Sequence, residues 1–382
     1  MSTCWLIKLA LPALVIVTLA CNASALGTSR PPTAPPLTAG PRATAGSLPP
    51  GTAAPSATAA SLALATLAPK PISQPTPVSN ATPAPAGGGH ITYRLGNAVY
   101  RLAASAGATP QNVSAALNAL AAGNDSWLNT SPDGAWLLLG TERFDPACAG
   151  WACLALVPAD LSAGSVIHSG GQPIHPDGFS AVAAGGQLVV YPASGGPHTQ
   201  DLWAVSQTNG QWGAPVLLSA GSPFADNAQP ALSAGGDRVL FDCGDQPYAA
   251  AGTAICEVRV DGTGFRTVLA PAQAPPGLPT TGALHHAAYA PDSGVIFEGN
   301  WGVEQIWRLA AGAAPPALIA AQYTNDNSPC MLPDGRVVSL WLGRAGNPAG
   351  LHELKIMSPD GGNALMPLNG QDVTDIGIGC GE

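Results

Sequence analysis

Three aspartates and an asparagine recur at one spacing along the chain. Asp125, Asp177, Asn227 and Asp326 each stand seven residues ahead of a turn signal, and Leu284 holds the fifth such position. Asp226 and Asn327 neighbour the same column, and Asp372 and Asp375 precede a last strand-like segment. Carboxylates brought together in this way create a negative potential that draws a cation or a basic peptide segment. The competing role is local, because Asp and Asn also cap their own turns. His285-His286 is the one pair suited to metal binding or acid–base work. Neighbours on a strand point to opposite faces, so at most one of the two faces a channel, and the competing role is a structural one for both. No H-E-x-x-H, P-loop, G-x-S-x-G or strand–helix G-x-G-x-x-G is present. No organic cofactor is expected, and a cation held by the acids is the one inorganic ligand the pattern admits.

The elements that position these residues form a repeat. SPDGAWLLLG from Ser131, AAGGQLVVYP from Ala183, SAGGDRVLFD from Ser233, APDSGVIFEG from Ala290 and LPDGRVVSLW from Leu332 each join a tight turn to an apolar strand. Their starts are about 52, 50, 57 and 42 residues apart. Second strands follow at 153–158, 201–206, 254–260, 304–309 and 351–357, then short third strands such as 165–167 and 215–218. With the strand before each turn, every unit has four. Four-stranded sheets at this period predict an all-β fold, a β-propeller. The segment 113–122 is the nearest approach to a helix and stays unassigned. The two ends complement one another: 372–380 reads as an inner strand without its turn, and HITYRLGNAVYRLAA from His90 as a unit without its first strand. Joining them in one blade removes the free edges and gives six blades.

DNAQPALSAGGDRVLF from Asp226 and NDNSPCMLPDGRVV from Asn325 resemble the repeat of TolB-like six-bladed propellers, also called WD-type repeats. The resemblance runs from His90 to the end and implies an envelope protein or peptide as partner. In such a ring the inner strands line a central channel, so the acidic column is expected at one mouth. Trp203 and Trp307 occupy equivalent strands and are expected between blades rather than as a sugar platform. Tyr323 and Trp301 fall in loops and are candidates for exposure.

Six cysteines follow residue 21, and an even set in an exported chain predicts disulfides. The register pairs Cys243 with Cys256 across a hairpin and Cys148 with Cys153 across a short loop. Cys330 and Cys380, on the inner strands of the last two blades, form the third pair.

Lys8 precedes an apolar run over 9–20, too short for a stable anchor but suited to a signal peptide over 1–20. The sequence Thr18-Leu19-Ala20-Cys21 resembles the lipobox of bacterial lipoproteins, which implies lipidation at Cys21. Ala23-Ser24-Ala25 is the competing cleavage site and would give a secreted protein. Residues 21–89 read as a disordered Ala/Thr/Pro linker: 14 of the 39 prolines fall between Pro31 and Pro85, with Arg42 and Lys70 as the only charges. Residues 90–382 form the propeller. A net charge of -9 with only 14 Lys and Arg excludes nucleic-acid binding. The expected function is a membrane-tethered extracytoplasmic module that binds a protein, peptide or envelope glycan at the channel mouth. The alternative is a propeller hydrolase or lyase acting on an extracellular polymer.

Overall fold

Each turn signal joins the first two strands of an antiparallel sheet, and six such sheets make up the ring. A computed structural model describes residues 88–247, 249–312, 315–319, 325–343, 350–374 and 377–382. The leader, Cys21, linker residues 22–87, Tyr323 and Asp375 lie outside the described residues. Blade 1 runs Asp125–Thr130, Trp136–Thr141, Cys153–Pro158 and Ser165–Val166. Blade 2 begins with a two-residue inner strand, Ala181–Val182, followed by Leu188–Ala193, Asp201–Thr208 and Val216–Leu217. Blade 3 holds Asp226–Leu232, Arg238–Gly244, Ala254–Arg259 and Arg266–Leu269. Blade 4 holds Ala283–Tyr289, Val295–Asn300, Glu304–Leu309 and Ala317–Leu318. In blade 5, Asp326–Met331, Val337–Trp341 and Glu353–Met357 are joined at the outer edge by a single bridge between Ile356 and Leu365.

The sixth blade takes its inner strand from the far end of the chain. Gly379–Gly381 pairs antiparallel with His90–Leu95, placing Ile91 opposite Cys380. Ala98–Ala103 and Gln111–Asn112 complete that sheet. The closing strand is shorter than the expected 372–380. Val373 and Thr374 instead donate their amides to the His352 and Arg94 carbonyls, each at 2.9 Å. Glycine is required here because blade 1 is so close: a Cβ on Gly379 would lie 2.6 Å from the Thr130 hydroxyl, and one on Gly381 would lie 2.7 Å from the Ser131 carbonyl.

The core lies between blades, as radial stacking demands. Phe241, Cys243 and Cys256 pack against Val190 and Leu202. Phe297, Trp301 and Trp307 pack against Leu240 and Ile255. Trp301, a candidate for exposure, is 4% exposed: its indole N–H donates to the Pro271 carbonyl at 2.9 Å. The unassigned segment is a helix, Val113–Leu120, whose first turn is capped by the Asn112 side chain. The sequence hid it because eight residues span barely two turns. All three expected disulfides form, with Cα separations of 5.4 Å for Cys148–Cys153, 6.0 Å for Cys243–Cys256 and 5.8 Å for Cys330–Cys380. Among the described residues no helix is long and apolar enough to cross a membrane.

Candidate functional site in the central channel

The inner strands of blades 1, 3, 4 and 5 share a bulge just after their first residues. In blades 3, 4 and 5 the residue at the bulge is Gln229, His286 or Ser328, with φ of +52°, +51° and +49°. A left-handed backbone costs a non-glycine residue roughly 1 kcal/mol or more. Hydrogen bonds between blades hold it in place. The His286 amide donates to the Gln229 side chain at 3.2 Å and to Asp242 Oδ2 at 3.3 Å, and the Ser328 amide donates to Glu298 Oε2 at 3.3 Å. The bulges of blades 4 and 5 are thus each tied to a carboxylate on the second strand of the preceding blade.

The bulge also overturns the expected alternation at the histidine pair. His285 and His286 do not part to opposite faces; their ring centroids lie 6.4 Å apart. His285 Nδ1 is 3.1 Å from Asp242 Oδ2, and His286 Nδ1 is 3.0 Å from Glu298 Oε2. Asp226 lies close enough to feel both Asp242 and His285. The result is a cluster of three carboxylates and two imidazoles. Burial pushes Asp226 up to about 6, with the Asp242 charge adding and His285 opposing. Burial likewise raises Asp242. At His285 burial disfavours the charged ring, but the Asp242 hydrogen bond and charge outweigh it, and the net shift is upward. At Glu298 burial is outweighed by the two histidines, and the carboxyl titrates below its usual range. Asp226 Oδ1 and Asp242 Oδ1 are buried with no hydrogen-bond partner among the described residues.

The central channel is a cavity of about 930 Å³. Gln229, His286, Ser328 and Phe179 line it, and the carboxylates stand behind them. Its opposite end, where the inner strands finish, carries Arg238 and Arg266, both bound to Glu257.

The other expected site residues are placed differently. Asp125 is buried against Arg143 at 3.0 Å and also accepts from Thr141 and Ser114. Asp326 is buried against Lys355. Asn227 donates to the Gln200 and Phe224 carbonyls. Asp177 and Asp372 are exposed and accept from the Ser194 and His352 amides at 2.7 and 2.8 Å. The column therefore does not converge on one point; only Asp226 joins the histidines. Sequence reasoning missed Asp242 and Glu298. Each follows a phenylalanine in a second strand that is otherwise apolar, and a charge in a strand buried on both faces was the available signal. No group of three His, Cys, Asp or Glu among the described residues is arranged to hold a metal.

No family model matches the sequence, and no curated protein does either. Solved structures do. TolB from Acinetobacter baumannii superposes with a TM-score of 0.55 at 14% identity, over 77% of this chain and 67% of that one. The fold is that of a TolB-like six-bladed β-propeller. A TolB from Agrobacterium tumefaciens gives a TM-score of 0.49 at 16% identity, over 75% of this chain and 91% of that one. The hydrazine synthase of Kuenenia stuttgartiensis gives 0.50 at 12% identity, over 77% of this chain but 46% of that one. The TolB-like ring and its bulges bring residues from three blades to one level of the channel. Three disulfides mark it as a protein of an oxidising, extracytoplasmic compartment.

The Asp226 environment sets a pH dependence. Its folded pKa lies above the unfolded value of 3.8, so its contribution to stability is greatest when protonated and falls as pH rises from about 4 through about 6. Asp226→Asn removes that loss. The variant is expected to be more stable than the parent by about 2 kcal/mol at pH 8 and indistinguishable from it below pH 4. Melting curves across this range check it; an equal difference at both ends would contradict the assignment.

Proposed function

We propose that this protein is a non-enzymatic binding module, tethered outside the cytoplasm through a lipid on Cys21, that takes a basic polypeptide segment into its channel. The observation that supports this reading is the cluster behind the channel wall. Asp226, Asp242 and Glu298 supply negative charge beside His286, while Arg238 and Arg266 stand at the other end. A segment with its cationic group at the histidine level and acidic or neutral residues beyond it complements both ends. The dyads resemble the orienting half of a general base, but their carboxylates are engaged in holding the bulges of the next blades, which favours binding over hydrolysis.

A cationic ligand binds best when Asp226 is ionised. Affinity for an arginine-rich decapeptide is therefore expected to fall as pH drops through about 6. In Asp226→Asn it should be weaker at pH 8 and depend less steeply on pH in that window, with Asp242 and His285 supplying what dependence remains. Calorimetric titration of the full chain checks this. Equal affinity for an acidic decapeptide, or a pH profile unchanged in the variant, would overturn the reading. Growth in labelled palmitate, with Cys21→Ser as control, tests the anchor separately.

A further inference from the structure

The Cys148–Cys153 disulfide closes a tight loop, Ala149-Gly150-Trp151-Ala152, and that loop holds its tryptophan out to solvent. Trp151 is 63% exposed, the most exposed large apolar side chain among the described residues. It is not left mobile: the ring packs on His175 at 4.8 Å between centroids, tilted by 33°. His175 is fixed in turn by the Ala152 carbonyl, 3.2 Å from Nδ1. Beyond His175 opens a groove of about 420 Å³ between blades 1 and 2, separate from the central channel. Its floor is Tyr191, Trp203 and Pro173, and its rim is Gln172 and Ser194. Trp203 keeps its indole N–H on the Ala193 carbonyl at 3.4 Å and is only part-buried, whereas its counterpart Trp307 is 5% exposed. Blade 2 thus shows an aromatic surface where blade 4 covers it.

We infer that this groove is a binding site for a neutral saccharide, with Trp203 as the aromatic platform within it and Trp151 flanking it across His175. Three features of the lining select that class. No Asp, Glu, Lys or Arg is among the groove residues, so phosphates, nucleotides and charged peptides find no partner. The aromatic faces match the apolar C–H face of a pyranose ring, and aromatic contact supplies most of the energy at such sites. The Gln172 amide and the Ser194 hydroxyl, both exposed, together with His175 supply neutral donors and acceptors for hydroxyl groups. The volume lies within the range of small-ligand pockets and accommodates one or two sugar rings. The disulfide removes most of the ordering cost of an exposed loop, which favours even a weak ligand.

The test is an array of neutral oligosaccharides (gluco-, galacto-, manno- and N-acetylglucosamine series) probed with the full chain, followed by calorimetry on the best probe. Retention of at least one neutral series is expected, reduced about tenfold or more in Trp151→Ala. Trp151 is exposed, so the melting temperature should not change, and Asp226→Asn in the channel should bind the same probe normally. Retention of no neutral series would overturn the assignment. So would retention indifferent to Trp151→Ala, or binding of a proline-rich peptide in place of every sugar.

Discussion

Removal of 372–382 lowers the melting temperature of the full chain by on the order of 10 °C or more and broadens the transition. The segment supplies Gly379–Gly381, the inner strand of blade 6, and half of the Cys330–Cys380 disulfide. Closing a loop of 50 residues is worth about 4 kcal/mol in the chain-entropy model. Val373 and Ile378, which sit in the core between blades 5 and 6, leave with it. The cut also exposes the edge of His90–Leu95 to other chains, so aggregation on heating should rise. Cys380→Ser separates the contributions, since it opens the disulfide but keeps the strand. It should cost less than the truncation. A truncated domain that melts cooperatively at the parental temperature would show that the ring does not depend on this closure.

Asp125→Asn and Asp326→Asn each destabilise the protein by about 3 kcal/mol or more, because each leaves a cation buried without its counter-charge. Arg143 holds Asp125 with two nitrogens, at 3.0 and 3.1 Å, and reaches on to Asn118 and the Ala121 carbonyl. That network anchors the helix Val113–Leu120 to blade 1. Lys355 is fully buried between Asp326 and the Trp341 ring. Replacing Asp326 and Lys355 together by Leu and Met should recover much of the loss, as buried pairs exchanged for apolar groups often do. Chemical denaturation of single and double variants measures this. A binding role for these two aspartates gives the opposite result: near-parental stability and weakened affinity for the basic decapeptide.

The two aspartates show where the sequence stops being informative. Their spacing ahead of the turns located the starts of the inner strands correctly, because turn chemistry is local and repeats once per blade. What each carboxylate faces is not local. Arg143 lies 18 residues from Asp125, in the loop after the second strand of blade 1, and Lys355 lies 29 from Asp326, on the third strand of blade 5. Cysteine pairing was legible because the propeller register brings Cys243 opposite Ala254, two residues from Cys256 on the neighbouring strand, and brings Cys330 beside the closing strand. At most one of the histidine pair was expected to face the channel, and only His286 lines it; that the two rings stay 6.4 Å apart was not legible, for a definite reason. Period-two alternation assumes an unbroken strand, and the bulge at His286 breaks it with no glycine or proline at the residue itself to mark the place. Asp242 and Glu298 lay in plain view, but only the bulges of the next blades give them partners.

The pairing of Ile91 with Cys380 also sets the order of events during folding. Five blades are assembled from contiguous stretches of chain and can begin to form as soon as each stretch is available. The sixth waits for Gly379–Gly381, since its first-made strands, His90–Leu95 and Ala98–Ala103, have no inner neighbour until that segment arrives. Contacts across nearly the whole length of the chain are slow to find, and the oxidation of Cys330 with Cys380 can only follow them. A molecule halted before residue 379 is therefore an open arc with an unpaired strand at one end. Until Gly379–Gly381 emerges, the nascent chain holds that open arc.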